Sequence, residues 1–257
     1  MKEFVIETRK LTKCYGEQTV VKEVDLHVRK GEIYGLLGRN GAGKTTLMKM
    51  ILGLTPETSG EVELFGRKLR GQEKQIYPQI GAMIEAPGFY PNLTGTENLE
   101  IFARLRGLKR EQTVKRALAV VGLPYQDKKL FGNYSLGMKQ RLGIANAILH
   151  DPKLLILDEP MNGLDPTGII EVRELLLKLN RERHLTIIIS SHILEELSKI
   201  ATHYGVIHKG KMVDEFTAAE LEQRCRKELK FLVSDPQAAA HLIQEAVTDH
   251  FGISSGN

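Results

Sequence analysis

A chain of 257 residues with 36 Lys+Arg against 32 Asp+Glu, a net charge of +4, has room for one to two domains and a sizeable core. Hydrophobic residues at 42% and charged residues at 26% match an ordinary globular chain and exclude disordered, collagen-like and disulfide-scaffold classes. No apolar run reaches the roughly 18–20 residues that cross a bilayer, and Glu3, Glu7 and Arg9 interrupt any secretory segment. Cys14 and Cys225 form neither a metal pair nor a framework, as expected in a reducing compartment, and the mild charge suits an ordinary solvated surface, with acidic lipid or nucleic acid nearby as the alternative.

Phe4–Thr8 and the alternating Val20–Val28 read as half-buried strands, with Tyr15-Gly16-Glu17 as a turn between them. Lys30-Gly31-Glu32 is a second turn, and Ile33–Gly38 a buried strand. A glycine-rich loop then opens a helix from Thr45, with Gly53 as its stop and Pro56 beyond. Glu61–Gly66 is another short strand. From Thr96 to about Ile148 apolar residues recur at helical spacing, in Glu97–Gly107 and Gln112–Gly122 among others.

Leu154–Leu157 and Thr186–Ser190 are apolar runs without alternation, as expected of parallel strands covered on both faces. The helix Gly168–Glu182 lies between them, so the fold class is α/β. After His208 come a turn at Lys209-Gly210-Lys211, a helix Thr217–Lys227, a strand Glu228–Val233 and a helix Pro236–Val247. This reads as a small α+β appendix with a frayed end.

Two segments carry chemistry. Gly38-Arg39-Asn40-Gly41-Ala42-Gly43-Lys44-Thr45 fits the phosphate-loop pattern G-x-x-x-x-G-K-[ST], placed after a buried strand and before a helix. Its glycines let backbone N–H groups turn inward around phosphate oxygens, and the helix N-terminus adds partial positive charge. Lys44 can reach the β- and γ-phosphates, and the Thr45 hydroxyl can ligate Mg²⁺. Downstream, the apolar strand Leu154–Leu157 ends in Asp158 and Glu159. Paired carboxylates leaving a core strand are costly without a cation. Asp158 then holds Mg²⁺, directly or through water, and Glu159 polarises an attacking water.

In this order the motifs resemble those of an ATP-binding cassette (ABC) ATPase, the motor subunit of ABC transporters, over roughly 4–216 of the chain. Tyr15 matches the aromatic that stacks on adenine in that family. Gly38–Thr46 and Leu154–Pro160 match the Walker A and B motifs, and Tyr134–Arg141 stands where the LSGGQ signature stands. Asn162-Gly163-Leu164-Asp165 resembles the D-loop, and His192 the switch histidine, placed to hold the γ-phosphate and the attacking water. The resemblance implies a P-loop NTPase cassette with a RecA-like core, an N-terminal antiparallel β subdomain and a helical signature-bearing subdomain at about 90–148. The cassette would occupy 1–216 and the appendix 217–257. It implies two copies of the chain sandwiching ATP, with Ser135 and Gly137 of one facing the γ-phosphate on the other and Asp165 along the seam. It also implies separate transmembrane permease subunits and a peripheral place at the cytoplasmic face of a bacterial membrane.

Two positions depart from the family pattern. Glu85 stands at the usual Q-loop glutamine and adds a negative charge beside Mg²⁺ and Glu159. Tyr134-Ser135-Leu136-Gly137-Met138 keeps the serine and one glycine of the signature but places Leu136 where positive φ would be costly. The Glu85 setting resembles cassettes that protect Gram-positive bacteria against bacitracin and lantibiotics; an exporter of another cargo is the alternative within the family. The stretch 86–98 would face the membrane partner, with Phe89 and Tyr90 as a seat for it or as subdomain packing. A DNA-repair or chromosome ATPase would carry a long coiled coil between Thr46 and Ser135, where only a helical subdomain fits. A ribosome-associated factor would carry two cassettes, so no nucleic-acid partner is expected.

Overall fold

A computed structural model describes residues 4–85 and 88–225. Contacts divide the chain into a unit of Met1–Leu221 and one of Glu222–Asn257. The expected strand Glu228–Val233 and helix Pro236–Val247 lie outside the described residues.

Strands β1 (Phe4–Tyr15), β2 (Gln18–Arg29), β4 (Ser59–Leu64) and β5 (Arg67–Lys68) form an antiparallel sheet in the order β2-β1-β4-β5. β1 runs to Tyr15 rather than ending at Thr8, because buried Leu11 keeps the inward face while register shifts absorb Lys10, which sits at φ +46°. Strands β3 (Ile33–Leu37), β6 (Ile80–Met83), β7 (Leu154–Leu157), β8 (Thr186–Ser191), β9 (His203–His208) and β10 (Lys211–Thr217) form the central sheet, ordered β10-β9-β3-β8-β7-β6. All its pairings are parallel except β9 with β10. The turn Lys209-Gly210-Lys211 thus closes a hairpin that the sequence reading left out. Lys209 and Gly210 have φ +47° and +77°, the left-handed pair that suits the twist of a two-residue hairpin.

The helices are α1 (Lys44–Ile51), α2 (Glu73–Ile76), α3 (Gly95–Leu105), α4 (Arg110–Val120), α5 (Leu136–Ala147), α6 (Pro166–Arg183), α7 (Leu194–Ser198) and α8 (Ala218–Cys225). The expected helical stretch from Thr96 therefore holds three helices, α3 to α5. The central sheet separates two cores. Leu36, Ile156 and Ile188 pack with α1 and the antiparallel sheet, while Leu155, Leu157, Ile187 and Ile189 pack with the helical side. Alternate residues of one strand thus feed opposite cores, which is why β7 and β8 show no polar alternation. Each such fully buried Leu or Ile contributes about 1.5–3 kcal/mol. Among the described residues, no helix is long and apolar enough to cross a membrane.

The concern over Leu136 is not met. Leu136 is the first residue of α5 and is not among the residues with positive φ, while Ser135 caps the helix from an extended conformation, φ −63° and ψ 162°. The turn that would have needed glycine is instead an ordinary serine-capped helix start.

Candidate active site at the strand ends

The carboxyl ends of β3, β8, β7 and β6 line up along one sheet edge, the side where open α/β sheets bind ligands. β3 leads into Gly38 and the phosphate loop. The Gly38 amide donates to the Ser191 carbonyl at 3.2 Å, and a Cβ on Gly38 would come within 2.6 Å of the Ile207 carbonyl oxygen. The hairpin turn braces the loop, since the Gly210 amide donates to the Ala42 carbonyl at 2.9 Å. Gly41 and Gly43 take φ +77° and +108°, which reverse the chain around the loop mouth. The amides of Gly41, Gly43, Lys44 and Thr45 donate to no group among the described residues. A row of undirected N–H groups at the start of α1 is an anion nest, so the loop fits a polyphosphate.

Lys44 is only 5% exposed, and its ammonium donates to the Gly38 carbonyl at 2.6 Å. It also lies 3.0 Å from Glu159 Oε1, yet without hydrogen-bond alignment, so this buried oxygen has no hydrogen-bond partner. Glu159 Oε2 meets His192 Nδ1 at 2.9 Å. Lys44, Glu159 and His192 therefore form one connected group. A second group lies beside it: Thr45 donates to Asp158 Oδ2 at 2.6 Å, and Ser190 donates to Oδ1 at 2.6 Å. Ser190 Oγ also accepts from the Glu159 amide at 2.8 Å and so ties the two groups together. A hydroxyl and a carboxylate in contact form an all-oxygen donor set that suits Mg²⁺. Glu159 sits at φ +48°, a strained conformation for a non-glycine residue and one that accumulates at functional sites.

Other expected site residues lie apart from these groups. Tyr15 ends β1 with its ring exposed and the Lys13 ammonium 4.8 Å from the ring centre. Arg39 and Asn40 are exposed at the loop tip, and Thr46 lies in the first turn of α1. Glu85, also strained at φ +62°, does not join the Thr45–Asp158 pair; its carboxylate accepts from Lys49 at 2.6 Å. That hydrogen bond holds the Lys49 ammonium above the ordinary lysine value, against the opposing effect of burial. Ser135 accepts from the Met138 amide at 3.3 Å and caps α5, with Gly137 in the first helical turn. Asp165 accepts from the Gly168 amide at 3.2 Å and caps α6. Leu136 reaches Gly163 and Leu164 reaches Gly137, so signature and D-loop pack on each other within one chain.

Ser190 was not singled out by sequence reasoning, although a serine ending the apolar run Ile187–Ile189 is the only signal it offers. The Lys49–Glu85 pair left no local trace, since its partners lie on separate elements.

A phosphate-binding loop, an acidic strand end and a histidine-held carboxylate on one sheet edge define a P-loop nucleotide hydrolase. The family model for ABC transporters matches residues 21–162, and the chain belongs to that family as an ATP-binding, ATP-hydrolysing subunit. It is 56% identical over 244 residues to the bacitracin transport ATP-binding protein BcrA of Enterococcus faecalis, covering 95% of this chain and 79% of that one. It is 43% identical over 209 residues to the lantibiotic transport ATP-binding protein SrtF of Streptococcus pyogenes, covering 81% and 89%. In fold it is similar to cbiO1 of Clostridium perfringens, part of the transporter complex cbiONQ, with TM-score 0.78 at 23% identity over 98% and 97% of the chains. It is likewise similar to the dimeric ATP-binding cassette MJ0796 bound to ADP and Pi, with TM-score 0.74 at 24% identity over 83% and 98%.

Proposed function

We propose that the chain drives export of peptide antibiotics of the bacitracin and lantibiotic type. It would act as a homodimer at the cytoplasmic face of the bacterial membrane, beside separate transmembrane permease subunits and without a nucleic-acid partner. The observation that carries the reading is the joining of Lys44, Glu159 and His192 at one sheet edge. The likeness to the bacitracin and lantibiotic transport subunits narrows the cargo.

In this reading Tyr15 stacks on adenine, and Gly38–Thr46 enclose the phosphates. Thr45 and Asp158 hold Mg²⁺; Glu85 is a further candidate that would have to leave Lys49 first. Bound Mg²⁺ supplies positive charge against the phosphate oxygens. Phosphoryl transfer has a loose transition state, so positioning and charge stabilisation do most of the catalysis. Lys44 offsets charge developing on the β- and γ-phosphates. Glu159 orients or deprotonates the attacking water, and His192 fixes Glu159 through Nδ1 while its other ring nitrogen serves the γ-phosphate. Ser135 and Gly137 of the second copy complete the site at the start of α5, with Asp165 at the seam. ATP binding closes the pair and hydrolysis reopens it.

The test is to express the chain with candidate permease subunits in a susceptible host and measure resistance to bacitracin and to a lantibiotic. Resistance that needs the permease and disappears in Lys44→Ala supports the proposal. Unchanged sensitivity to both antibiotics, with hydrolysis stimulated by nucleic acid, overturns it.

A further inference from the structure

The opposite, amino-terminal edge of the parallel sheet holds a second concave site. The turn before β3, the residues leading into β7 and β8, and α4 border a cavity of about 720 Å³, within the roughly 300–1,000 Å³ typical of small-molecule sites. Among the described residues, Lys30, Arg116, Lys153, Arg183 and His184 line it, and Asp151 is the one carboxylate in the lining. Asp151 pairs with Arg183 at 3.4 Å. Arg183 also has a local reason to be basic, since it lies in the last turn of α6 where a cation offsets the carbonyl end of the helix. Arg116 and Lys153 have neither reason. Arg116 stands in the middle of α4 and Lys153 ahead of β7, and among the described residues neither side chain meets a carboxylate.

Cations drawn from four separate segments to one concavity raise its positive potential and draw anions. Guanidinium forks and an ammonium match phosphate oxygens. Val5, Phe65 and Pro152 add an apolar wall that a bare inorganic ion would leave unused.

We infer that this cavity binds an anionic phosphate compound with an apolar or ring-bearing body. It shares no residue with the ATPase centre. Two sources carry that chemistry: a soluble phosphorylated metabolite and an acidic phospholipid headgroup.

The test titrates the full chain with pyrophosphate by calorimetry and co-sediments it with phosphatidylglycerol or phosphatidylcholine vesicles. Wild type is compared with Lys44→Ala, which disables the phosphate loop, and with the double variant Arg116→Gln/Lys153→Gln. Both altered side chains are exposed, so the double variant should keep the wild-type Tm; Lys153→Gln alone serves if it does not. Expected is binding that survives Lys44→Ala and weakens at least ~10-fold in the double variant. Such loss with pyrophosphate identifies a soluble ligand; loss confined to phosphatidylglycerol vesicles identifies a headgroup. A double variant that binds both probes as wild type does overturns the inference.

Discussion

Ser190 and Asp158, at the ends of neighbouring parallel strands, are joined by a 2.6 Å hydrogen bond in which the serine hydroxyl donates to Oδ1. Because the same hydroxyl oxygen accepts from the Glu159 amide at 2.8 Å, one side chain sets both the carboxylate proposed for the metal and the backbone of the carboxylate proposed for the water.

Ser190→Ala should therefore damage hydrolysis more than nucleotide binding. The loss of an outer group that orients a metal ligand typically costs about 10–100-fold, and we expect ATP turnover to fall in that range. Leaving a buried Asp158 oxygen and the Glu159 amide without this partner should also remove about 1–3 kcal/mol of stability. Steady-state ATPase assays and thermal melts check both. Wild-type turnover in the variant would remove Ser190 from the site.

Glu85→Gln tests the role of the Lys49–Glu85 pair. Glu85 is exposed and Lys49 half-buried, so stability should change by less than about 1 kcal/mol. The Lys49 ammonium, now held above its ordinary value by that carboxylate, should titrate at lower pH in the variant. NMR titration of the lysine side chains reads this directly. ATP binding should be preserved, with any defect confined to coupling with the permease. An unmoved Lys49 titration would show that the two groups do not meet in solution.

The helical side is fixed to the sheet at Gly81, where a Cβ would run into the Ala147 carbonyl oxygen at the end of α5. Gly81→Ala must push β6 and the signature helix apart, at a cost of about 1–3 kcal/mol. Urea unfolding should show a lower midpoint at an unchanged slope. An unaltered midpoint would mean that the contact gives way freely.

Acid should act partly through His150, whose Nε2 meets the Ile80 carbonyl oxygen at 2.9 Å. Burial holds the imidazole below its usual value of 6.5, so the folded chain takes up this proton at a lower pH than the unfolded chain does. Between those two values the unfolded state binds more protons, so stability falls as pH drops below about 6.5. His150→Gln should flatten that part of the stability-against-pH curve. Parallel curves for the two proteins would assign the acid sensitivity to other groups.

Much of this arrangement could be read from the residues alone because its signals are local. The phosphate loop is one contiguous run, and the apolar runs of β7 and β8 reveal a doubly covered sheet through the very lack of alternation. What escaped was relational. Ser190 matters through two bonds to residues on β7 and just after it, and nothing near it in sequence marks it. The β9–β10 hairpin was hidden because its turn was seen but His203–His208, with polar and apolar residues mixed, did not show a clean period. Leu136 was judged by a family pattern rather than by its own neighbourhood, where Ser135 simply starts a helix. Asp165 caps α6, as Asp-Pro-Thr-Gly signals a helix start, a local role compatible with the seam proposed for it.

The most direct test of the site is Glu159→Gln, which keeps the shape of the side chain and removes its charge and basicity. Single-turnover hydrolysis with Mg²⁺ and ATP, and light scattering of the same samples, should show hydrolysis nearly abolished and an ATP-dependent dimer that persists. A variant that hydrolyses ATP at the wild-type rate, and stays monomeric with ATP, would contradict Glu159 as the group that activates water between two copies.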